Sequence, residues 1–263
     1  MQQNDPTFAE PSGFASNSFA KGLAVLEAFD ADSPCLSMAE IARRTGQDRA
    51  TARRGVLTLE ALGFLERKGR LFALSPKVLI LAGNFLQASR LRSETLPILN
   101  HYAALLDTDL HLTTLFDNQV LQLCHTDQKS AEGHNAPEVG ATCLPYNCSM
   151  GRVLLSSLPD EDLVQLLDTA DIPRRTPHSL NSPSVVLERI QTARQAGYAF
   201  EYGEYTAGEL GYAVPIKVES KRPLALGLRR SIDHAPNKPV EAYLEALWNC
   251  ARELCVLPAL SAF

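Results

Sequence analysis

The chain has 263 residues, 45% hydrophobic and 21% charged, which is too long for one typical domain and too apolar for a disordered or fibrous polymer. It has no apolar run near the ~20 residues that cross a bilayer, its first 18 residues lack a basic start followed by an apolar segment, and its six cysteines form no C-x-x-C pair. A cytoplasmic protein of two domains with free thiols, no membrane contact, no metal and no cofactor is therefore expected. The net charge of −5 is uneven: residues 18–90 hold 11 Lys/Arg against 7 Asp/Glu, whereas 91–263 hold 14 against 21. A basic module facing phosphates, joined to an acidic body that DNA would repel, fits that split.

Residues 1–17 contain Pro6, Pro11, Ser12 and Gly13 and are read as a disordered leader. From Ser18, an expected N-cap, Phe19, Leu23, Leu26 and Phe29 recur at helical spacing. Ser37 is placed to cap a second helix over 38–45, with Glu40 in its first turn and Gly46 as its stop. A third helix follows from Gln47-Asp48 to 62, with Ala52, Val56, Leu59 and Leu62 as its inward stripe. Arg49, Thr51, Arg53 and Arg54 crowd its N-terminal half. Residues 64–67 and 71–74 read as two short strands turning through Lys68-Gly69-Arg70, the form of a wing.

Ser75-Pro76 opens a linker helix with the proline at its first position. Thr95-Leu96-Pro97 restarts a helix to about 106, and 110–116 with 120–125 form a strand hairpin. Helices are expected over 149–155, 160–167, 185–196 and 240–254, and strands over 211–218 and 223–229. The mixed order gives an α+β fold on an antiparallel sheet. The expected division is a leader (1–17), a winged helix-turn-helix (18–75), a linker helix (76–90) and an effector-binding and oligomerisation domain (91–263).

A helix with basic and hydroxyl groups on its first turns suits the major groove, because arginine pairs with guanine edges and threonine or glutamine reaches bases or phosphates. Ser37, Gln47, Arg49, Thr51, Arg53 and Arg54 are the expected contacts there, with Arg67, Lys68 and Arg70 of the wing on the flanking backbone. A three-helix unit with a basic face also serves as a protein-interaction module, and the pattern alone leaves both readings open.

The runs KGLAVLEAF (21–29), EIARRTG (40–46) and RATARRGVLTLEALGFL (49–65) resemble the DNA-binding domain of IclR-type regulators. Leu144-Pro145, Ser149 to Leu155, the stretch 173–180, Gly197-Tyr198-Ala199 and Ala213-Val214-Pro215 extend the resemblance to about Cys255. It is greatest to regulators of aromatic-acid catabolism of the β-ketoadipate type. The resemblance implies a winged helix-turn-helix, a linker helix and a GAF-like effector domain. It further implies a homodimer or homotetramer on a double-stranded DNA operator, with RNA polymerase as a further partner and a small organic acid, aromatic or other, as effector.

Read from the residues, Cys148, Ser149, Met150, Gly151 and Arg152 form a polar turn opening a helix, whose free N–H groups suit a carboxylate; an N-capped core helix is the plainer alternative. By resemblance, Ser149, Met150, Tyr202, Glu204, Gly211 and Tyr212 line the ligand site. Read from the residues, Tyr146, Met150, Tyr202 and Tyr212 suit an aromatic-compatible wall, with ordinary core as the plainer alternative. Here Glu209 and Leu210 replace the usual leucine and arginine, so a typical acid anchor is missing. Cys124, His125, His134, Cys143 and Cys148 match no zinc-ligand spacing. An enzyme using Glu204 as base and Cys148 or Ser149 as nucleophile has no supporting motif, and a regulator responding to thiol oxidation through Cys148 ranks below ligand sensing.

Overall fold

The structure is a computed structural model and describes residues 16–127, 137–220, 222–233 and 239–261. It divides into two compact units between Ala88 and Ser89.

The first unit opens with α1 (Asn17–Glu27), capped at Ser16 rather than Ser18, so the helix begins inside the segment expected as leader. Phe19 and Leu23 are exposed, and Ala24, Val25, Ala28 and Phe29 are the buried positions. β1 (Cys35–Ser37) leads into α2 (Met38–Arg44), where Ser37 Oγ accepts from the Glu40 N–H and the Glu40 carboxylate accepts from the Ser37 N–H. Such a reciprocal cap satisfies two otherwise orphaned donors. α3 (Arg49–Ala61) is capped by Asp48, which accepts from the N–H groups of Ala50 and Thr51 at 2.9 and 3.0 Å. Ala52, Val56 and Leu59 face the core; Leu62 lies past the last turn and is 54% exposed, contrary to its expected inward place. β2 (Leu65–Lys68) and β3 (Leu71–Leu74) form the hairpin, turning at Gly69 with φ 66°, and β1 completes a three-stranded sheet ordered β1-β3-β2. α4 (Lys77–Ser89) buries none of its residues.

The second unit begins with α5 (Leu91–Leu106), which runs through Pro97 instead of restarting there. β4 (Leu110–Phe116) and β5 (Gln119–His125) join through Asp117 and Asn118, both with positive φ, so Gln119 belongs to the strand. β6 (Thr142–Cys143) lies on the edge. α6 (Ser149–Leu155), α7 (Asp160–Asp168) and α8 (Pro183–Ala196) follow, then β7 (Ala199–Tyr202), β8 (Glu209–Ile216), β9 (Leu224–Ser231), α9 (Val240–Leu254) and α10 (Pro258–Ser261). The six strands make an antiparallel sheet ordered β6-β5-β4-β9-β8-β7, an α+β architecture.

The two faces of this sheet carry different side chains. Tyr212, Val214, Ile216, Leu224, Leu226 and Leu228 pack against α5 and α9 in the largest core. The alternate positions Gly211, Ala213, Ala225 and Gly227 face α6 and are small, so the helix approaches the strand backbone directly. A Cβ at Gly227 would stand 2.6 Å from Met150 Cγ, and one at Gly151 would fall within the Pro145 carbonyl.

Candidate functional site

In the first unit, α3 turns Arg49, Arg53 and Arg54 to solvent. Arg49 and Arg53 make no hydrogen bond or ion pair among the described residues, and Arg54 Nη2 donates to Thr51 Oγ1 at 3.2 Å. Thr51 in turn donates its hydroxyl to Asp48 at 2.6 Å. Ser37 is held in its capping box, and Gln47 Nε2 bonds the Lys21 carbonyl at 2.9 Å, tying α1 to the turn before α3. On the hairpin, Arg67 makes two bonds to the Glu60 carboxylate and lies over the Phe72 ring, Lys68 pairs with Glu66, and Arg70 extends from the tip. Of the nine residues expected on this surface, Ser37, Gln47, Thr51 and Arg67 are thus engaged in holding it together, and the arginines of α3 and the tip are its available cations.

In the second unit, a cavity of about 320 Å³ opens between α6 and the sheet near its β6 edge. Val120 and Met150 supply apolar wall, and Thr113, Gln122, Tyr205, Glu209 and Arg229 supply polar atoms; Cys143 and Cys148 also line it. Arg229 reaches this space because it shares strand parity with Ala225 and Gly227. Its neighbour Arg230 points the other way, bonding the Tyr243 hydroxyl and the Leu106 carbonyl. Arg229 lies 3.8 Å from Glu209 and 5.3 Å from the Tyr205 ring centre, and its Nε has no acceptor among the described residues.

Beside the cavity, Glu201 is 3% exposed, and its carboxyl is pushed up to about 7 by burial, against the pull of Arg229 and Arg152 and with a contribution from Glu209. The Ser149 backbone lies beside it, and its Oε2 has no partner among the described residues. Gly211 leaves the space this requires, since a Cβ there would stand 2.6 Å from Glu201 Oε1 and 2.9 Å from Ser149 Oγ. His111 is buried and held neutral, its pKa lowered to about 3 by desolvation and by Arg229.

These contacts revise several sequence expectations. At the opening of α6 the Gly151 N–H already donates to Cys148 Sγ, and Glu201, itself an acid, lies against Ser149, so the turn is not an open carboxylate cradle. Arg152 is buried and bonded to the Glu204 carboxylate and to the carbonyls of Tyr146 and Phe200, which makes both charged groups part of the framework. Tyr202 and Tyr212 lie on the opposite face of the sheet: Tyr212 stacks on Tyr243 at 5.9 Å in the core beneath α9, and Tyr202 is 48% exposed. Tyr146 packs with Leu155 and Leu163, so the four-residue aromatic wall does not form. Leu210 packs into the α9-side core, so an arginine in its place would not face the cavity. Cys148 is buried and its thiol raised rather than activated.

Cys124 joins the α9-side core, away from Cys143 and Cys148, and His134 lies outside the described residues, as do residues 1–15 of the expected leader. Among the described residues no three His, Cys, Asp or Glu side chains cluster as metal ligands, and no helix is long and apolar enough to cross a membrane. Sequence reasoning passed over Glu201, Tyr205 and Arg229: the parity of Glu201 and Arg229 was legible only in the alternation of small residues along β8 and β9, and Tyr205 lies in the turn between β7 and β8. The stretch 173–180 holds Tyr205 in place: Thr176 Oγ1 and Ser179 Oγ donate to the carbonyls of Gly203 and Glu204 at 2.6 and 2.7 Å, and Arg175 lies over the Tyr205 ring.

Comparison with known proteins gives two family matches: the IclR helix-turn-helix domain over residues 18–69, and the bacterial transcriptional regulator IclR C-terminal domain over residues 83–256. The chain is 31% identical to the Pca regulon regulatory protein of Pseudomonas putida, covering 90% of this chain and 82% of that protein. It is 28% identical to the p-hydroxybenzoate hydroxylase transcriptional activator of Acinetobacter baylyi, covering 89% of each. Among solved structures, an IclR homolog from Microbacterium hydrocarbonoxydans complexed with 4-hydroxybenzoate superposes with a TM-score of 0.71 at 27% identity, over 90% of this chain and 97% of that one.

Proposed function

The chain belongs to the IclR family of bacterial transcriptional regulators, and from that premise we propose that it controls aromatic-acid catabolism by binding an operator through α3 and a small organic acid in the cavity beneath α6. The observation that carries the ligand reading is Arg229. This cation lines a cavity of about 320 Å³, within the usual range for small-ligand sites, and stands 3.8 Å from the Glu209 carboxylate. An incoming carboxylate would take bidentate bonds from the guanidinium, and Val120 and Met150 would cover an aromatic ring. This arrangement replaces the anchor missing at position 210 by one a strand away.

For DNA, the reading places α3 in the major groove, with Arg49, Arg53 and Arg54 toward base edges and phosphates and Lys68 and Arg70 on the flanking backbone. Residues 18–75 would form the winged helix-turn-helix, 76–90 the linker, and 91–263 a GAF-like effector and oligomerisation domain. The division at Ala88 supports that partition. A homodimer or homotetramer presents paired α3 helices to a near-palindromic operator. The exposed Leu79, Ile80, Leu81 and Phe85 of α4 favour self-association, since so much unburied apolar surface on one helix is costly in water. RNA polymerase is the further partner this role implies.

The test is a mobility shift on the gene's own upstream DNA at fixed salt, with protocatechuate, 4-hydroxybenzoate or β-ketoadipate. A specific shift that one of these acids alters is expected, and Arg229→Met should abolish the response while sparing DNA affinity. A shift indifferent to every acid would leave the DNA reading standing and overturn the ligand class.

A further inference from the structure

Cys143 and Cys148 flank the turn 144–147, and both side chains line the cavity. Cys143 sits half-buried on the edge strand β6, and Cys148 is buried at the start of α6, where its Sγ accepts from the Gly151 N–H at 3.3 Å. Cys143 and Tyr205 pack against the buried cluster that holds Cys148, whose thiol faces the carbonyls of Leu144 and Pro145 at 3.9 Å. Arg229 and Arg175 act on Cys143 from β9 and the 173–180 stretch, and Glu201 acts on Cys148 from β7.

We propose that Cys143 and Cys148 are a reversible dithiol–disulfide pair that reads hydroperoxides, with Cys143 attacking and Cys148 resolving. The environment separates the two roles. The neighbouring Cys148, then Tyr205 and the two arginines, bring the Cys143 thiol down to about 7 against the cost of burial. The neighbouring Cys143 and burial push Cys148 well up, so it stays protonated until needed. A thiolate near neutral pH combined with access through a cavity is the combination that selects a cysteine for oxidation.

In the first step Cys143 thiolate takes the distal oxygen of hydrogen peroxide, the O–O bond breaks, and hydroxide leaves to become water, giving a sulfenic acid. In the second, Cys148 sulfur attacks the sulfenic sulfur, the S–O bond breaks, and the hydroxyl departs with the Cys148 proton as a second water. Two thiols and one peroxide thus become one disulfide and two waters, with two electrons passing to the peroxide. The bond would tie β6 to α6 along the cavity wall and take the Cys143 thiol away from Tyr205. This inference does not depend on the identity of the effector, because its readout is thiol chemistry on the protein alone.

The reduced full-length protein is treated with hydrogen peroxide, and its free thiols and tryptic peptides are measured. Both cysteines fall between Lys129 and Arg152 with no Lys or Arg between, so they share one tryptic peptide. The expected result is a fall from six free thiols to four, with a loss of about 2 Da on that peptide, reversed by dithiothreitol. Cys148→Ser should instead trap a dimedone-reactive sulfenic acid on Cys143, and Cys143→Ser, which leaves the α6 cap intact, should lose no thiol at the same dose. Oxidation of Cys35 or Cys255 ahead of the pair, direct passage of Cys143 to the sulfinic acid, or no reaction at about tenfold excess peroxide would overturn the proposal.

Discussion

Replacing Glu201 by glutamine should change the pH dependence of stability in a direction opposite to most carboxyl substitutions. Glu201 is 3% exposed, and its carboxyl holds a proton to about 7 where an ordinary glutamate releases it near 4.5. Between those values the folded chain binds a proton the unfolded chain has released, so this group lowers stability as pH rises. At about 1.36 kcal/mol per pH unit, the loss from pH 5 to pH 8 is about 2–3 kcal/mol. Glutamine is nearly isosteric with glutamate and cannot ionise. His111 works the other way: its pKa, lowered to about 3, makes stability fall as pH drops below about 6.5, and it is present in both proteins. The informative quantity is therefore the difference between variant and parent. Urea unfolding followed by the fluorescence of the single tryptophan, Trp248 in α9, reports the second unit. The advantage of Glu201→Gln should grow by about 2–3 kcal/mol from pH 5 to pH 8. A difference independent of pH would mean that Glu201 ionises normally, and would refute the account of its burial.

Arg53→Ala should weaken operator binding by about 1–3 kcal/mol in a mobility shift and leave thermal stability unchanged, because Arg53 is exposed and makes no hydrogen bond or ion pair among the described residues; normal binding would move the recognition surface elsewhere. Glu204→Ala strands the buried Arg152 charge and should cost about 3–5 kcal/mol by urea unfolding, a far larger effect than a change confined to ligand response. Gly151→Ala drives a methyl into the Pro145 carbonyl and should lower stability by more than about 3 kcal/mol. Gly83→Ala, with open space around it in a helix, should raise stability by up to about 1 kcal/mol.

The first unit was legible because its signals are local. Ser37 with Glu40, and Asp48 before Arg49, announce two helix starts, and Gly69 marks the hairpin turn. β1 was missed because three residues have no periodicity to read and its pairing is with β3, more than thirty residues away. Pro97 was read as a helix start, yet α5 tolerates it in the middle, anchored on either side by buried Leu91, Thr95 and Leu99. Of the expected effector residues, Cys148 and Met150 line the cavity, whereas Tyr202 and Tyr212 share the parity of the other face. Tyr202 and Tyr212 pair through the neighbouring Leu210 and Phe200 on one face, and only the register with β9 shows that Glu201, Gly211 and Arg229 occupy the other. Arg152 and Glu204 resembled a ligand site for the same reason that they form a buried ion pair: both uses put a charge in the interior.

The seating of α6 on glycines constrains how such a cavity can diversify. An added atom at Gly151 would meet the Pro145 backbone, and at Gly211 and Gly227 it would meet the side chains of Glu201, Ser149 and Met150, so growth at any of the three disturbs how α6 sits on the sheet. Changes of cavity shape are therefore easier around the rim, at Thr142, Tyr205 and Thr206 on an edge strand and a loop, than against α6. A lineage of such proteins would keep a fixed base and trade its chemistry at the rim.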